Sequence, residues 1–251
     1  MTGIIGSTTI LAVCLLFCRI GGAMMVMVGI SSARVPMQVR LFLAFGLTLA
    51  VAPMLVDEAA AAITDDAPVT LLRLIAAETF TGLFIGFLGR LFFLALQMLS
   101  HAMAMTVGFS MPDTAIEDQE ALPAMTALIM LTATLMFFLT DQHAKVLEAV
   151  VSSYKVLPVA GAFDPQGSLI EVTDTLSTAF WLALRLASPF IIYGLVVNFT
   201  LGLVNKMTPA IPVYFISMPF VLFGGLMLFY VTAVEFQQLF VLGFSDWLAS
   251  Q

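Results

Sequence analysis

The 49 residues from Leu186 to Val234 carry a single formal charge, Lys206. That charge lies in Asn205-Lys206-Met207-Thr208-Pro209-Ala210-Ile211-Pro212, a short polar, proline-bearing stretch between two apolar arms. Each arm is roughly 20 residues, the length that crosses a hydrocarbon core of ~30 Å as a helix. In lipid a backbone must satisfy its own hydrogen bonds, and the alternation of a barrel strand is absent, so both arms are expected to be helical. The segment therefore reads as a membrane-type helical hairpin.

The rest of the chain follows the same pattern. It is 61 % hydrophobic and 10 % charged, against roughly 25 % charged in a soluble domain. Helices are expected over Thr8–Ile30, Leu41–Val56, Val69–Leu99, Leu122–Thr140, Thr175–Asn205 and Ile211–Gly243. A shorter amphipathic helix is expected near Gln142–Tyr154. The fold class is all-α and membrane-type, with about six long, broken helices arranged as hairpins. Pro36 and Pro53 are expected to bracket the second helix. The first apolar run has no basic segment before it and reads as a retained span. Cys14 and Cys18, four apart on one helix face, read as small buried thiols.

Acidic residues gather between the apolar runs. Asp57, Glu58, Asp65 and Asp66 fall in one gap, and Asp113, Glu117, Asp118 and Glu120 in another. Such connectors argue against nucleic acid and against an anionic-lipid anchor. His101 and His143 lack companion ligands, and His101 reads as a buried, satisfied histidine. Phosphate-loop, zinc-protease and nucleophile-elbow motifs are absent. No enzyme activity, metal or cofactor is expected.

Connector charges do not orient the chain. With six alternating spans, Arg73, Lys145 and Lys155 fall on one side and Arg34, Arg40 and Lys206 on the other, which is no bias. Five charges also interrupt the apolar runs: Arg19, Glu78, Arg90, Arg185 and Glu235. An Arg or Lys at a helix centre costs about 2.5–3.5 kcal/mol on insertion scales, so these side chains should face protein or water, or snorkel from a span end. Glu78 and Arg90 lie twelve residues apart, roughly 18 Å along a helix, so each needs a partner elsewhere. Gly82 and Gly86 form a Gly-xxx-Gly step, with Gly89 following, where helices can approach closely. Met98, Met103, Met105 and Met111 cluster in mid-chain, flexible side chains suited to irregular gaps.

Three blocks read together resemble one family. Ala33-Arg34-Val35-Pro36-Met37-Gln38-Val39-Arg40 precedes an apolar helix that ends Ala50-Val51-Ala52-Pro53. Asn198-Phe-Thr-Leu-Gly202-Leu-Val-Asn205-Lys206-Met-Thr-Pro209 continues to Ser217-Met218-Pro219. Between them, Met105-Thr-Val-Gly108-Phe109-Ser110 leads into an acidic connector and a helix ending before Asp141-Gln142-His143. In this order the blocks are similar to the FliR family of flagellar type III secretion export apparatus proteins (the SctT family).

The resemblance implies a structural subunit of an export gate. One copy would assemble with FliP, FliQ and FlhB, with FlhA nearby, in the bacterial inner membrane at the flagellar basal body. Residues 1–174 would be a FliP-like body and 175–251 a FliQ-like hairpin. A pore constriction would involve Met103, Met105, Gly108, Phe109, Ser110, Met111 and Pro112, and would open for unfolded flagellar proteins. Subunit contacts would fall at Glu78, Arg90, Arg185, Asn205, Lys206 and Pro209, with Gly82, Gly86 and Gly89 packing helices. Membrane lipid would be a further partner, although neighbouring subunits would hold the tilted hairpins largely above the bilayer plane. Competing readings are the equivalent gate subunit of a virulence injectisome, a stand-alone secondary transporter, and a membrane scaffold without pore contact.

Overall fold

A computed structural model describes residues 6–31, 35–63, 67–108, 123–159 and 164–250. Among them are seven helices: α1 (Ser7–Val26), α2 (Met37–Ala61), α3 (Pro68–Val107), α4 (Ala124–Leu139), α5 (Gln142–Val156), α6 (Pro165–Met207) and α7 (Val213–Ala249). The fold is all-α, and every expected helix is present. Five of the seven are long and apolar enough to cross a membrane, and α4 with α5 makes a sixth if that bent pair counts as one span. The chain is a multi-pass membrane protein.

Proline starts most of these helices. α2, α4 and α7 begin directly after Pro36, Pro123 and Pro212, while α3 and α6 open on Pro68 and Pro165. Proline's fixed φ suits a first turn, where its missing N–H has no intrahelical partner anyway. α6 has a side-chain cap as well: the Asp164 carboxylate accepts the backbone N–H groups of Gln166 and Gly167 at 3.0 and 3.1 Å. This cap starts α6 ten residues before the expected Thr175.

Other boundaries also differ from expectation. α1 ends at Val26 rather than Ile30, because the backbone leaves the helical region at Met27, with a ψ of 136°. Pro53 lies inside α2, which continues through Asp57 and Glu58 to Ala61, so that acidic pair rides on a helix. α3 runs on to Val107 and makes Met103 and Met105 helical. α4 and α5 are separated by Thr140 and Asp141, and the Asp141 φ of 55° is left-handed. Asp tolerates that conformation better than most residues.

Pro189 lies inside α6 and cannot donate to the Arg185 carbonyl. The Ser188 hydroxyl donates to it instead, at 2.8 Å. An orphaned carbonyl in an apolar stretch is costly, so this local replacement lets the helix continue.

The chain packs as two compact units. One comprises Met1–Leu91 and Asp141–Thr175 with Gln251; the other comprises Phe92–Thr140 and Leu176–Ser250. This division by packing differs in kind from the 1–174 and 175–251 division suggested by family likeness. The first unit has a mostly aliphatic interior of α1, α2, α3 and α5 side chains, including Leu15, Leu16, Leu55 and Leu74 together with Tyr154. The second has an aromatic interior. Phe93 of α3 meets Phe137 of α4 and Phe240 of α7 edge to face at 5.8 and 5.1 Å, and Phe92 meets Phe244 at 5.5 Å. Such pairs add about 0.5–1.5 kcal/mol each beyond their buried area.

Candidate functional site

The strongest polar feature of the first unit is an ion pair between spans. Arg19 of α1 forms a bidentate contact with Glu78 of α3, Nε to Oε2 at 2.7 Å and Nη2 to Oε1 at 2.9 Å. Arg19 Nη1 donates to the Ser153 hydroxyl at 3.2 Å and to the Leu157 carbonyl at 2.9 Å, at the end of α5. Its guanidinium lies 3.9 Å from the Tyr154 ring centroid. The two charged side chains are 1 % and 2 % exposed. A desolvated pair is tolerated only when geometry is good and the remaining donors are satisfied, and here both hold. Arg19 thus ties α1, α3 and α5 at one point.

This places Glu78 differently from the expectation of a subunit contact. Its charge is met by Arg19 of the same chain, and neither residue snorkels. Arg19 itself was the missing partner; two opposite charges inside apolar runs were the available signal, and Ser153, Tyr154 and Leu157 gave none.

Glycine sets the distance between α1 and α3. A Cβ on Gly82 would overlap the Arg19 carbonyl oxygen and stand 2.7 Å from its carbon; one on Gly86 would be 2.5 Å from the Ala23 oxygen. From the other side, a Cβ on Gly22 would be 2.8 Å from the Thr79 oxygen. These contacts advance together along both helices, so α1 and α3 run parallel. Gly89 is different: nothing among the described residues lies within 4 Å of its Cβ position. The packing step is Gly82 and Gly86, without Gly89.

Of the expected constriction residues, Met103, Met105 and Gly108 are described. Met103 is buried in the second unit, whereas Met105 is 55 % exposed one helical step away. Gly108 has a φ of 89° and its N–H donates to the Met105 carbonyl, closing the last turn of α3. That left-handed conformation is natural to glycine. Phe109, Ser110, Met111 and Pro112 lie outside the described residues.

The remaining charges stand on the surface. Arg90, Arg185, Lys206 and Glu235 are exposed, as are Asn205 and Pro209 at the α6–α7 turn. Arg185 and Glu235 sit well inside the apolar lengths of α6 and α7. Little of the apolar length of α7, and a minority of that of α6, is buried within the chain. Phe199, Phe215, Phe220, Phe223 and Tyr230 are all more than two-thirds exposed. Two smaller expectations also change: Cys14 is exposed, with Cys18 half-buried, and His101 is exposed.

Comparison with known proteins gives this arrangement its relatives. The model of a family described as bacterial export proteins, family 1, matches residues 10–246. The flagellar biosynthetic protein FliR of Caulobacter vibrioides is 31 % identical over 219 residues, covering 85 % of each chain. FliR of Escherichia coli is 28 % identical over 204 residues, 79 % of this chain and 75 % of that one. FliR of Aquifex aeolicus is 26 % identical over 195 residues, 77 % and 74 % of the two chains.

Proposed function

The chain belongs to the bacterial export proteins, family 1, and from that premise we propose that it is the single-copy gate subunit of the flagellar protein export apparatus. As a family member whose relatives are FliR proteins, it is a component of that apparatus, embedded in a membrane by several spans. The finer reading is that it assembles with FliP, FliQ and FlhB, close to FlhA, in the inner membrane at the flagellar basal body. Unfolded flagellar proteins would pass through the assembled gate. In this reading residues 1–174 form a FliP-like body and residues 175–251 a FliQ-like hairpin.

The observation that carries the assembly is the exposure of charge on an apolar hairpin. Arg185 and Glu235 would be costly against lipid, and among the described residues no ion pair neutralises them. Neighbouring protein with complementary groups removes that cost, which favours a subunit over a stand-alone transporter. The flagellar relatives favour the flagellar gate over an injectisome gate. Arg90, Lys206, Asn205 and Pro209 are assigned to the same kind of contact. Glu78 is not, since Arg19 occupies it.

Co-purification in mild detergent tests the assembly: one copy of this chain should appear among several copies of two smaller partners. Recovery of the chain alone at full yield would reject it. In the same preparation Arg185→Glu should lower partner recovery about tenfold while leaving the chain's own membrane level unchanged, because a like charge at a complementary contact repels.

The constriction is assigned to Met105 with Gly108, Phe109, Ser110, Met111 and Pro112, while Met103 supports the helix end from within. An apolar constriction excludes ions by dewetting yet can deform around an arriving chain. Replacing Met105, Phe109 and Met111 together with Ala should leave assembly intact and collapse the membrane potential, read with a potential-sensitive dye. An assembled triple variant that holds a normal potential would remove the constriction from these residues.

A further inference from the structure

Within the second unit, the end of α3 is held in a clamp. At Gly194 of α6, a Cβ would stand 2.6 Å from Thr106 Cβ, and at Gly225 of α7 a Cβ would overlap Val107 Cγ1 and stand 3.0 Å from its Cβ. The residues beside these glycines lock to each other. The Tyr193 hydroxyl donates to the Val221 carbonyl at 2.7 Å, and a Cβ on Gly224 would be 2.5 Å from that hydroxyl. Gly194 of α6 and Gly225 of α7 thus each receive one of two consecutive residues of α3, while Tyr193 and Gly224 beside them hold α6 and α7 together.

The gripped side chains are oriented for it. Thr106 turns its hydroxyl back to the Met103 carbonyl at 2.8 Å, leaving its carbon atoms to face Gly194. Val107, Ala104 and Met103 are at most 1 % exposed, and the left-handed Gly108 follows immediately. Glycine weakens a helix interior, so three glycines at one level mark a place where close approach outweighs that loss. A branched knob in a glycine notch also fixes rotation and height, which a smooth apolar contact does not.

We propose that Gly194, Gly224 and Gly225 are positioning residues for the gate, setting the height and rotation at which α3 ends and hence where Met105 is presented. The inference rests on the gate reading above. It goes beyond that reading by locating the control of the constriction on the C-terminal hairpin, away from the constriction itself.

The test uses the full chain in its own host, replacing the native copy. Gly225→Ala should reach its normal membrane level, co-purify with partners, lower the membrane potential and reduce export about tenfold, the equivalent of an ordinary overpacking penalty. Val107→Ala added to Gly225→Ala removes the overlapping methyl groups and should restore both potential and export. That rescue is a readout a merely structural glycine elsewhere on α7 would not give. If Gly225→Ala does not accumulate, Val107→Ala alone empties the notch without overpacking, and should accumulate while lowering the potential. An accumulated, assembled Gly225→Ala with normal potential and export would overturn the proposal, as would a tight Val107→Ala in the second arm. Leakage of the Met105, Phe109 and Met111 triple variant alongside tight clamp variants would sink the clamp and leave the gate standing. If none of these variants leaks, the gate reading itself fails.

Discussion

Glu78→Gln is expected to destabilise the first unit by about 3–5 kcal/mol, the loss found when one member of a buried ion pair is removed. The amide nearly preserves shape, so packing is not the cause. It leaves the Arg19 cation, 1 % exposed, without a counter-charge in an apolar setting. It also turns an N–H₂ group toward a guanidinium that only donates. Arg19→Met should cost a comparable amount, because the Glu78 carboxylate is then stranded and the Leu157 carbonyl loses its donor. The double variant Arg19→Met with Glu78→Leu should be markedly better than either single one, since replacing a whole buried pair with apolar side chains is often neutral. Membrane levels and thermal unfolding in detergent would measure this. Single variants as stable as the parent would show that the pair contributes nothing.

Gly82→Ala is expected to cost about 3 kcal/mol, at the upper end for overpacking, because the new methyl meets backbone rather than a movable side-chain tip. The obstructing atoms are the Arg19 carbonyl carbon and oxygen. Glu78 lies one helical turn before Gly82 on the same face of α3. The close approach at Gly82 therefore also brings the carboxylate within reach of the guanidinium, and spreading α1 from α3 would lengthen both hydrogen bonds at once. The Gly82→Ala and Glu78→Gln effects should then be less than additive, as for residues in one network. Gly89→Ala is the control: with open space around its Cβ position, it should gain about 0.5–1 kcal/mol of helix stability. Destabilisation at Gly89 equal to that at Gly82 would contradict the assignment of the packing step.

Apolar length and proline punctuation made the helices legible before any coordinates. Long apolar runs leave a backbone no alternative in lipid, and α5 shows an amphipathic pattern, so all seven helices could be named from residues alone. Ends were harder where the signal was local. Asp164-Pro165 is a helix-start pair, but it lies among polar residues that resemble a connector, which hides the true start of α6. Pro53 resembled a terminator, yet α2 passes through it. Of the candidate site, the identity of the intramembrane charges could be read, but not their pairing. Arg19 and Glu78 are 59 residues apart, and no periodicity links them. The glycines showed the same limit. Gly82, Gly86 and Gly89 share one motif-like spacing, and only the opposing helix distinguishes them. Gly194 and Gly225 have no such spacing and became visible only through Thr106 and Val107.

The Arg19 hub also sets a timetable for synthesis. Glu78 follows it by 59 residues, and the Ser153 and Leu157 acceptors by 134 and 138. At about 5–20 residues per second, the cation waits roughly 3–12 s for its carboxylate and at least twice as long for α5. α1 cannot settle as a finished span during that interval. The insertion machinery must hold it beside protein or water until α3 is delivered. The first unit is thus completed only after α5 has been made, and a nascent chain stalled before Glu78 would present an unneutralised arginine to membrane quality control.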